Sequence, residues 1–217
     1  MRVTGRPTVE FFYCSSCPWT YLAFSRLNET VKRTGANIVY RPILAEWIGQ
    51  GADHASIRAL MDRNPAISAY ASKDLRDWAR FCGVAITLPQ PWPVRPEWAQ
   101  RGAVLAIAAG LIKAYAESIF RTHFTVGRNI ADRTVVLNVA ADCGLSGAAF
   151  EARLAAIDVL DTIRQNTDEL VSRMGFGSPT MFLGDDMYFG HDRMPLLESA
   201  LMRAIDRPFI APGEHDR

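Results

Sequence analysis

The stretch "FYCSSCPWTYLA" at residues 12–23 decides how the N-terminal part of the chain folds. It continues a β-branched and aromatic run, "TVEFFYC" at 8–14, which predicts a buried strand. Pro18 begins a helical pattern, because proline is favoured at the first position of a helix, where its missing N–H costs nothing. We therefore predict that Cys17 caps this helix and that its sulfur faces unpaired backbone N–H groups.

The two cysteines of this stretch have different surroundings. The positive end of the helix dipole favours the thiolate of Cys17, whereas Cys14 at the strand end gains little from it. In a thioredoxin-type dithiol the second cysteine lies three residues inside the helix, but that residue here is Thr20. Cys17 is therefore the candidate catalytic thiol. Cys14 is either its redox partner or a packing residue, since the spacing permits a disulfide without guaranteeing one.

The segments on either side complete an α/β frame. The first helix ends in "KRTGAN" at 32–37, and "NIVYRPIL" at 37–44 is a second strand, which implies a parallel crossover. Near the C-terminus, "TMFLG" and "MYFG" flank "DD" and predict an antiparallel hairpin, followed by a helix from Asp192. The predicted order is βαβ followed, after an interruption, by ββα.

The interruption is predicted to be helical. Helical periods run through residues 45–156, and the β-branched run "TVVLNVA" at 134–140 is predicted to be helical from its flanks. The prediction is thus one frame formed by residues 1–44 and 157–217, with an inserted all-helical domain at 45–156.

Composition narrows the classes of partner. A net charge of +1 on 217 residues gives no basic field, so we expect neither a nucleic-acid nor a membrane partner. The most apolar run, at 102–112, is far shorter than the ~20 residues of a membrane span. We expect a cytoplasmic protein whose four cysteines are thiols rather than a disulfide framework.

The segment "GFGSPTMFLGDD" at 175–186 places Pro179 directly before a strand, a position that proline tolerates. Both a cis and a trans peptide bond fit this position. A cis bond would leave the backbone N–H and C=O of Ser178 free to pair with an extended ligand.

These segments, together with "SKDLRDWARFCGVAITLP" at 72–89, resemble the 2-hydroxychromene-2-carboxylate isomerases. That family is grouped with kappa-class glutathione transferases and the DsbA-like branch of the thioredoxin superfamily. The resemblance implies a thioredoxin-like fold with a large helical insertion, a homodimer, and glutathione bound between the first helix and a cis-proline loop.

The resemblance also implies roles for single residues. Cys17 stands where the isomerases have a helix-capping serine that hydrogen-bonds the glutathione sulfur. Pro179 matches the cis-proline, and the main chain of Ser178 would pair with glutathione.

Other positions match the family less closely. His191 and Asp192 match the stretch that holds the γ-glutamyl end of glutathione, and Gln50 stands near a glutathione-binding asparagine. Ile67, three residues before Tyr70, occupies the place of a family lysine.

The implied activity is a glutathione-dependent isomerisation of an aromatic-catabolism intermediate through transient addition of the glutathione thiolate. The protein would position the sulfur and stabilise the developing enolate charge. Trp19, Trp47 and Trp92 are candidates to line an apolar substrate pocket, with core packing as the alternative for each.

Two other hypotheses remain open. The first is a DsbA-like thiol-disulfide oxidoreductase or glutathione thiol transferase, in which Cys17 attacks and Cys14 or glutathione resolves the mixed disulfide. The second is a non-catalytic small-molecule binding protein of the same fold, which the loss of the family lysine at Ile67 favours.

Overall fold

Strand β1 (Thr8–Tyr13) lies inside the sheet, because it pairs with a neighbouring strand along each edge. The computed structural model describes residues 6–48, 64–90 and 92–207. The other strands of these residues are β2 (Asn37–Pro42), β3 (Thr180–Leu183) and β4 (Asp186–Phe189). The sheet has the order β2-β1-β3-β4. β1 and β2 are parallel, and the two other pairings are antiparallel, so the predicted βαβ and ββα units are confirmed.

Helices surround this sheet. Helix α1 (Pro18–Thr34) connects β1 with β2. In chain order the others are α2 (Pro65–Phe81), α3 (Glu97–Ala108), α4 (Ile112–Phe120), α5 (Arg133–Asp142), α6 (Ala148–Leu154), α7 (Ile157–Ser172) and α8 (Met194–Ala204). A short 3₁₀ turn at His191–Arg193 joins β4 to α8.

The ends of α1 are those that the sequence predicts. Pro18 is the first residue of the helix and Cys17 is its N-cap, with extended φ and ψ of −94° and 118°. Gly35 ends the helix at φ 68°, a left-handed conformation that glycine adopts without steric cost. The start of α1 therefore lies directly at the carboxyl end of β1.

The alternation of side chains along β1 divides the core. Phe11 and Tyr13 belong to the larger apolar cluster, which includes residues of α1, α3 and α4. Phe12 points to the opposite face and packs with Leu170 of α7 in a smaller cluster. Cys14, which follows the strand, continues this second face and is fully buried there.

Two details of the predicted helical block can be compared with the structure. The run "TVVLNVA" is helical as predicted, since it lies in α5. The segment 97–116, predicted as one helical period, is divided into α3 and α4. Gly110 at φ 71° and the Leu111 amide, which bonds to the Ala106 carbonyl, close the end of α3. The domain boundaries at 44 and 157 stay a prediction.

A buried glutamine connects the helical block to the sheet. Gln100 of α3 is fully buried, and its Nε2 donates to the carbonyls of Tyr13 and Ile43, at 2.7 and 2.8 Å. Its Oε1 accepts from the Ser15 hydroxyl at 2.5 Å. One side chain thus satisfies the backbone where β1 and β2 end, and holds the turn between the two cysteines.

Replacing Gln100 by leucine is expected to destabilise the fold, because the Ile43 carbonyl and the Ser15 hydroxyl would lose their buried partner. The Tyr13 carbonyl would keep only its bond from the Ile43 amide. We expect the free energy of unfolding to fall by about 2–5 kcal/mol in urea denaturation. Ser15→Ala removes only one of the three bonds and is expected to cost about 1 kcal/mol. Equal stability of Gln100→Leu and the unaltered protein would contradict this role.

Candidate active site

Cys17 lies at the start of α1 with its carbonyl already inside the helix. The backbone N–H groups of Thr20 and Tyr21 donate to the Cys17 carbonyl, at 3.1 and 3.3 Å. The side chain is half-buried, and the thiol donates to the carbonyl of Ser178 at 3.4 Å. Cys17 is therefore the N-cap residue, as predicted, but its side chain makes no capping hydrogen bond and the sulfur points across to the loop before β3.

The expected preference of Cys17 for the thiolate is wrong in its net direction. Burial raises the pKa of the Cys17 thiol above its ordinary value, and this is the largest effect. The nearby polar groups of Thr20 and Trp19 lower the pKa, but they do not offset the desolvation of the charge. Cys17 is consequently a neutral thiol at neutral pH and can donate a hydrogen bond.

Cys14 is still less acidic. Its side chain is fully buried, its Sγ lies 3.4 Å from Ser16 Oγ, and burial raises the pKa of this thiol to about 11. The Cys17 amide donates to the Cys14 carbonyl at 3.2 Å, so a hydrogen-bonded turn joins the two residues. Both cysteines are free thiols.

The loop before β3 meets this turn. The Ser178–Pro179 peptide bond is cis, which is the alternative that the family resemblance implies. The Ser178 carbonyl, expected to be free for a ligand, instead accepts the bond from the Cys17 thiol. The Ser178 hydroxyl accepts from the Cys14 amide at 2.8 Å and lies 2.8 Å from Thr20 Oγ1. Apart from the position of Thr20 one turn into the helix, no local pattern indicates this hydroxyl pair.

His191 is enclosed by two tryptophans. Its ring stacks on Trp19 at a centroid distance of 4.8 Å and meets the edge of Trp78 of α2 at 4.5 Å. Burial lowers the pKa of His191, which is therefore neutral at neutral pH. Asp192 is exposed and pairs with Arg193 at 3.0 Å. The role of His191 and Asp192 in glutathione binding stays a prediction, and Trp78 was not predicted as part of this site.

The other tryptophans lie in different places. Trp92 is beside the cysteine turn, since its Nε1 donates to the Ser16 carbonyl at 3.4 Å. Trp47 is instead covered by the Arg164 guanidinium of α7, at 5.3 Å from the ring centroid. The structure thus brings Trp19 and Trp92 to the turn, but the contact of Trp47 is with a different helix.

Two further predictions concern α2 and the segment before it. Ile67 lies in α2 and is 42% exposed, so the position of the family lysine faces solvent. Gln50 lies outside the described residues.

Within the described ranges, no group of three or more histidine, cysteine, aspartate or glutamate side chains is arranged to hold a metal ion. None of the helices in those ranges is both long and apolar enough to span a bilayer.

The chain is similar in sequence to two groups of known proteins. The chain is 29% identical over 200 residues to the 2-hydroxychromene-2-carboxylate isomerase of Pseudomonas putida, covering 90% of this chain and 94% of that protein. It is 22% identical to glutathione S-transferase kappa 2 of Caenorhabditis elegans, covering 94% and 96% of the two chains.

Solved structures show the same fold. A 2-hydroxychromene-2-carboxylate isomerase structure superimposes with a TM-score of 0.79 at 26% identity, over 91% of this chain and 96% of that one. A probable DsbA oxidoreductase from Streptomyces coelicolor gives a TM-score of 0.78 at 19% identity, over 95% and 93% of the chains. The thioredoxin-like fold is thereby confirmed, and a DSBA-like thioredoxin domain profile matches residues 8–202. The chain therefore belongs to the DSBA-like thioredoxin domain family.

Proposed function

We propose that this protein is a glutathione-dependent isomerase that acts on a small aromatic-catabolism intermediate of the 2-hydroxychromene-2-carboxylate class. The observation that carries the proposal is the position of the Cys17 thiol, which lies at the start of α1 and donates to the cis-proline loop at 3.4 Å. Burial raises the pKa of this thiol, which keeps it protonated at neutral pH. A neutral thiol donates a hydrogen bond, as does the serine that the isomerases have at this position. The similarity to a curated isomerase over 90% of the chain supports the same activity.

The residues at this site fit the sulfur and backbone of glutathione. The Cys17 thiol is a donor for a thiolate, and the Ser178 carbonyl is held only by a 3.4 Å bond that a stronger backbone donor can replace. Bound glutathione would supply a thiolate that adds reversibly to an unsaturated carbon of the substrate. A negative sulfur beside Cys17 further disfavours ionisation of its thiol, so Cys17 stays a donor when the site is filled.

The chain's own contribution is positioning and exclusion of water. Trp19 is fixed by its stack on His191, and Trp92 is fixed by its bond to the Ser16 carbonyl. We propose that their rings form the apolar wall for the aromatic part of the substrate, where low polarity strengthens the hydrogen bond from Cys17 to the sulfur. Trp47, held at α7, is not part of this wall.

A thiol-disulfide oxidoreductase is the second candidate, because one observation favours it. The hydrogen-bonded turn from Cys14 to Cys17 keeps the two residues close, since such turns have a Cα separation under about 7 Å, near the range that a disulfide needs. The low acidity of the thiols argues against an oxidoreductase, which needs a thiolate. Burial raises the pKa of both cysteines, and that of Cys14 to about 11. We therefore place the isomerase first.

The proposal also includes the setting of the enzyme. We propose that the enzyme is a cytoplasmic homodimer that binds a small aromatic molecule and glutathione. We propose that it binds neither nucleic acid nor a membrane. The near-neutral charge supports the absence of a polyanionic partner.

Substitution of Cys17 distinguishes a donor from a nucleophile. In an isomerase assay with 2-hydroxychromene-2-carboxylate and reduced glutathione, Cys17→Ser is expected to keep kcat/KM within about threefold, because a hydroxyl replaces the thiol as donor. Cys17→Ala is expected to lower kcat/KM about 10- to 100-fold, since a hydrogen bond to a charged sulfur contributes about 1.5–3 kcal/mol.

The matched control for these variants is Cys82→Ser, a cysteine at the end of α2 and outside the site. Activity that does not depend on glutathione would overturn the proposal. Equal loss in Cys17→Ser and Cys17→Ala, with glutathione-disulfide reductase activity in the unaltered protein, would establish the oxidoreductase instead.

Thiol acidity gives an independent prediction. When iodoacetamide alkylation is followed by peptide mass at increasing pH, Cys17 is expected to react above the ~8.5 midpoint of an ordinary thiol, and Cys14 at about 11. The alkylation midpoints of both cysteines should return to ~8.5 in the denatured protein, where burial is lost. A Cys17 midpoint well below that of the denatured chain would contradict the donor role and favour a reactive thiolate.

A further inference from the structure

An ion pair lies beside the cysteine turn, residues 14–17. Arg95 Nε donates to Glu46 Oε1 at 3.2 Å. Trp92, three residues before Arg95, donates through its indole N–H to the carbonyl of Ser16. The segment that carries Arg95 is thus tied to the residue that directly precedes Cys17.

The carboxylate of this ion pair is also held beside the cysteine turn. Glu46 belongs to a short 3₁₀ turn, Ala45–Trp47, which follows the end of β2. Ile48 is part of the same smaller apolar cluster as the buried Cys14, and Ala45 packs against that cluster. The ion pair therefore joins two segments that both lie next to the cysteines.

The guanidinium of Arg95 has donors to spare. Its side chain is 72% exposed, whereas that of Glu46 is only 22% exposed. The bond to Glu46 uses Nε, and among the residues that the structure describes the two Nη groups of Arg95 have no hydrogen-bond partner. Because a guanidinium has five N–H donors in a fixed fork, one carboxylate can hold Nε while the Nη groups bind a second one.

Another arginine near the site is less suited to bind a ligand. The guanidinium of Arg26 lies over the rings of Trp78 and Phe81, at 6.0 and 5.6 Å from their centroids, and its Nη1 is buried. Arg95 instead presents its fork to solvent, on the same segment as Trp92.

We propose that Arg95, whose Nε is held by Glu46, binds the carboxylate of the aromatic substrate. This assignment rests on the proposed function and deepens it, because a substrate of the 2-hydroxychromene-2-carboxylate class has a carboxylate next to its apolar part. One segment then recognises both parts of the molecule, with Trp92 against the ring and Arg95 on the carboxylate. The positive charge also reduces the repulsion between this carboxylate and the glutathione thiolate, which are both negative.

The test compares an unreactive analogue, chromone-2-carboxylate, with its neutral amide, chromone-2-carboxamide. Isothermal titration of the full chain with glutathione present is expected to show about 10- to 100-fold tighter binding of the carboxylate, as a charge-assisted bond predicts. Arg95→Gln is expected to abolish this preference and to leave binding of the amide unchanged. Arg95→Lys keeps the charge without the fork and is expected to have an intermediate preference.

Steady-state kinetics give a second measurement. In the isomerase assay, Arg95→Gln is expected to raise KM for the aromatic substrate about 10- to 100-fold with little change in kcat, because the carboxylate is bound equally in the ground state and the transition state. The matched control is Arg153→Gln, another exposed arginine that is paired with a carboxylate, that of Asp158, between α6 and α7. This variant should change neither KM nor the binding of the analogue.

Two results would overturn the proposal. The first is a folded Arg95→Gln protein that binds chromone-2-carboxylate as tightly as the unaltered protein. The second is a weaker affinity for glutathione with an unchanged KM for the aromatic substrate, which would assign Arg95 to a carboxylate of glutathione. The variant is expected to fold, since exposed ion pairs contribute little to stability, and circular dichroism checks this.

Failure of this proposal and failure of the proposed function are distinguishable. Isomerase activity with an unchanged KM in Arg95→Gln refutes only the carboxylate site. Binding of the analogue that depends on its charge and on Arg95, in a protein without isomerase activity, supports the carboxylate site and refutes the isomerase.

Discussion

The alternation of side chains along β1 is the constraint on which the site depends. Because successive residues point to opposite faces, Phe11 and Tyr13 fill one core, and Phe12 fills the other. Cys14 continues the face of Phe12 and is buried beneath the turn. The chain then turns out of the sheet, and Cys17 emerges at the start of α1, at the edge of the core. Two cysteines three residues apart therefore have unequal exposure.

Burial nevertheless raises the pKa of both thiols. The start of a helix favours a thiolate, and the polar groups of Thr20 and Trp19 there lower the pKa of Cys17. Desolvation acts in the opposite direction and is larger, because the thiol of the half-buried Cys17 lies against the loop of Ser178 and Pro179. The same fold carries both isomerases and oxidoreductases, so this balance, and not the fold, separates the two candidate activities.

Long-range hydrogen bonds hold the site together. Gln100 from the helical block fixes the carboxyl ends of β1 and β2, and Ser178 from the loop before β3 fixes the turn from the other side. The stack of His191 on Trp19 adds a third contact, which joins the start of α1 to the turn before α8. Elements that are distant in sequence thus determine where the Cys17 sulfur points.

The sequence by itself determined the frame and the register of the cap. Strand-like residues before Cys14, Pro18 after Cys17 and Gly35 at the helix end are local signals, and local backbone preferences are read within a few residues. The break between α3 and α4 also has a local cause, Gly110, which the single predicted helical period did not take into account. Only the tertiary structure decided the enclosure of His191 by Trp19 and Trp78, the separation of Trp47 from the turn, and the net direction of the Cys17 pKa. These depend on burial and on partners more than 50 residues away, which no local pattern encodes.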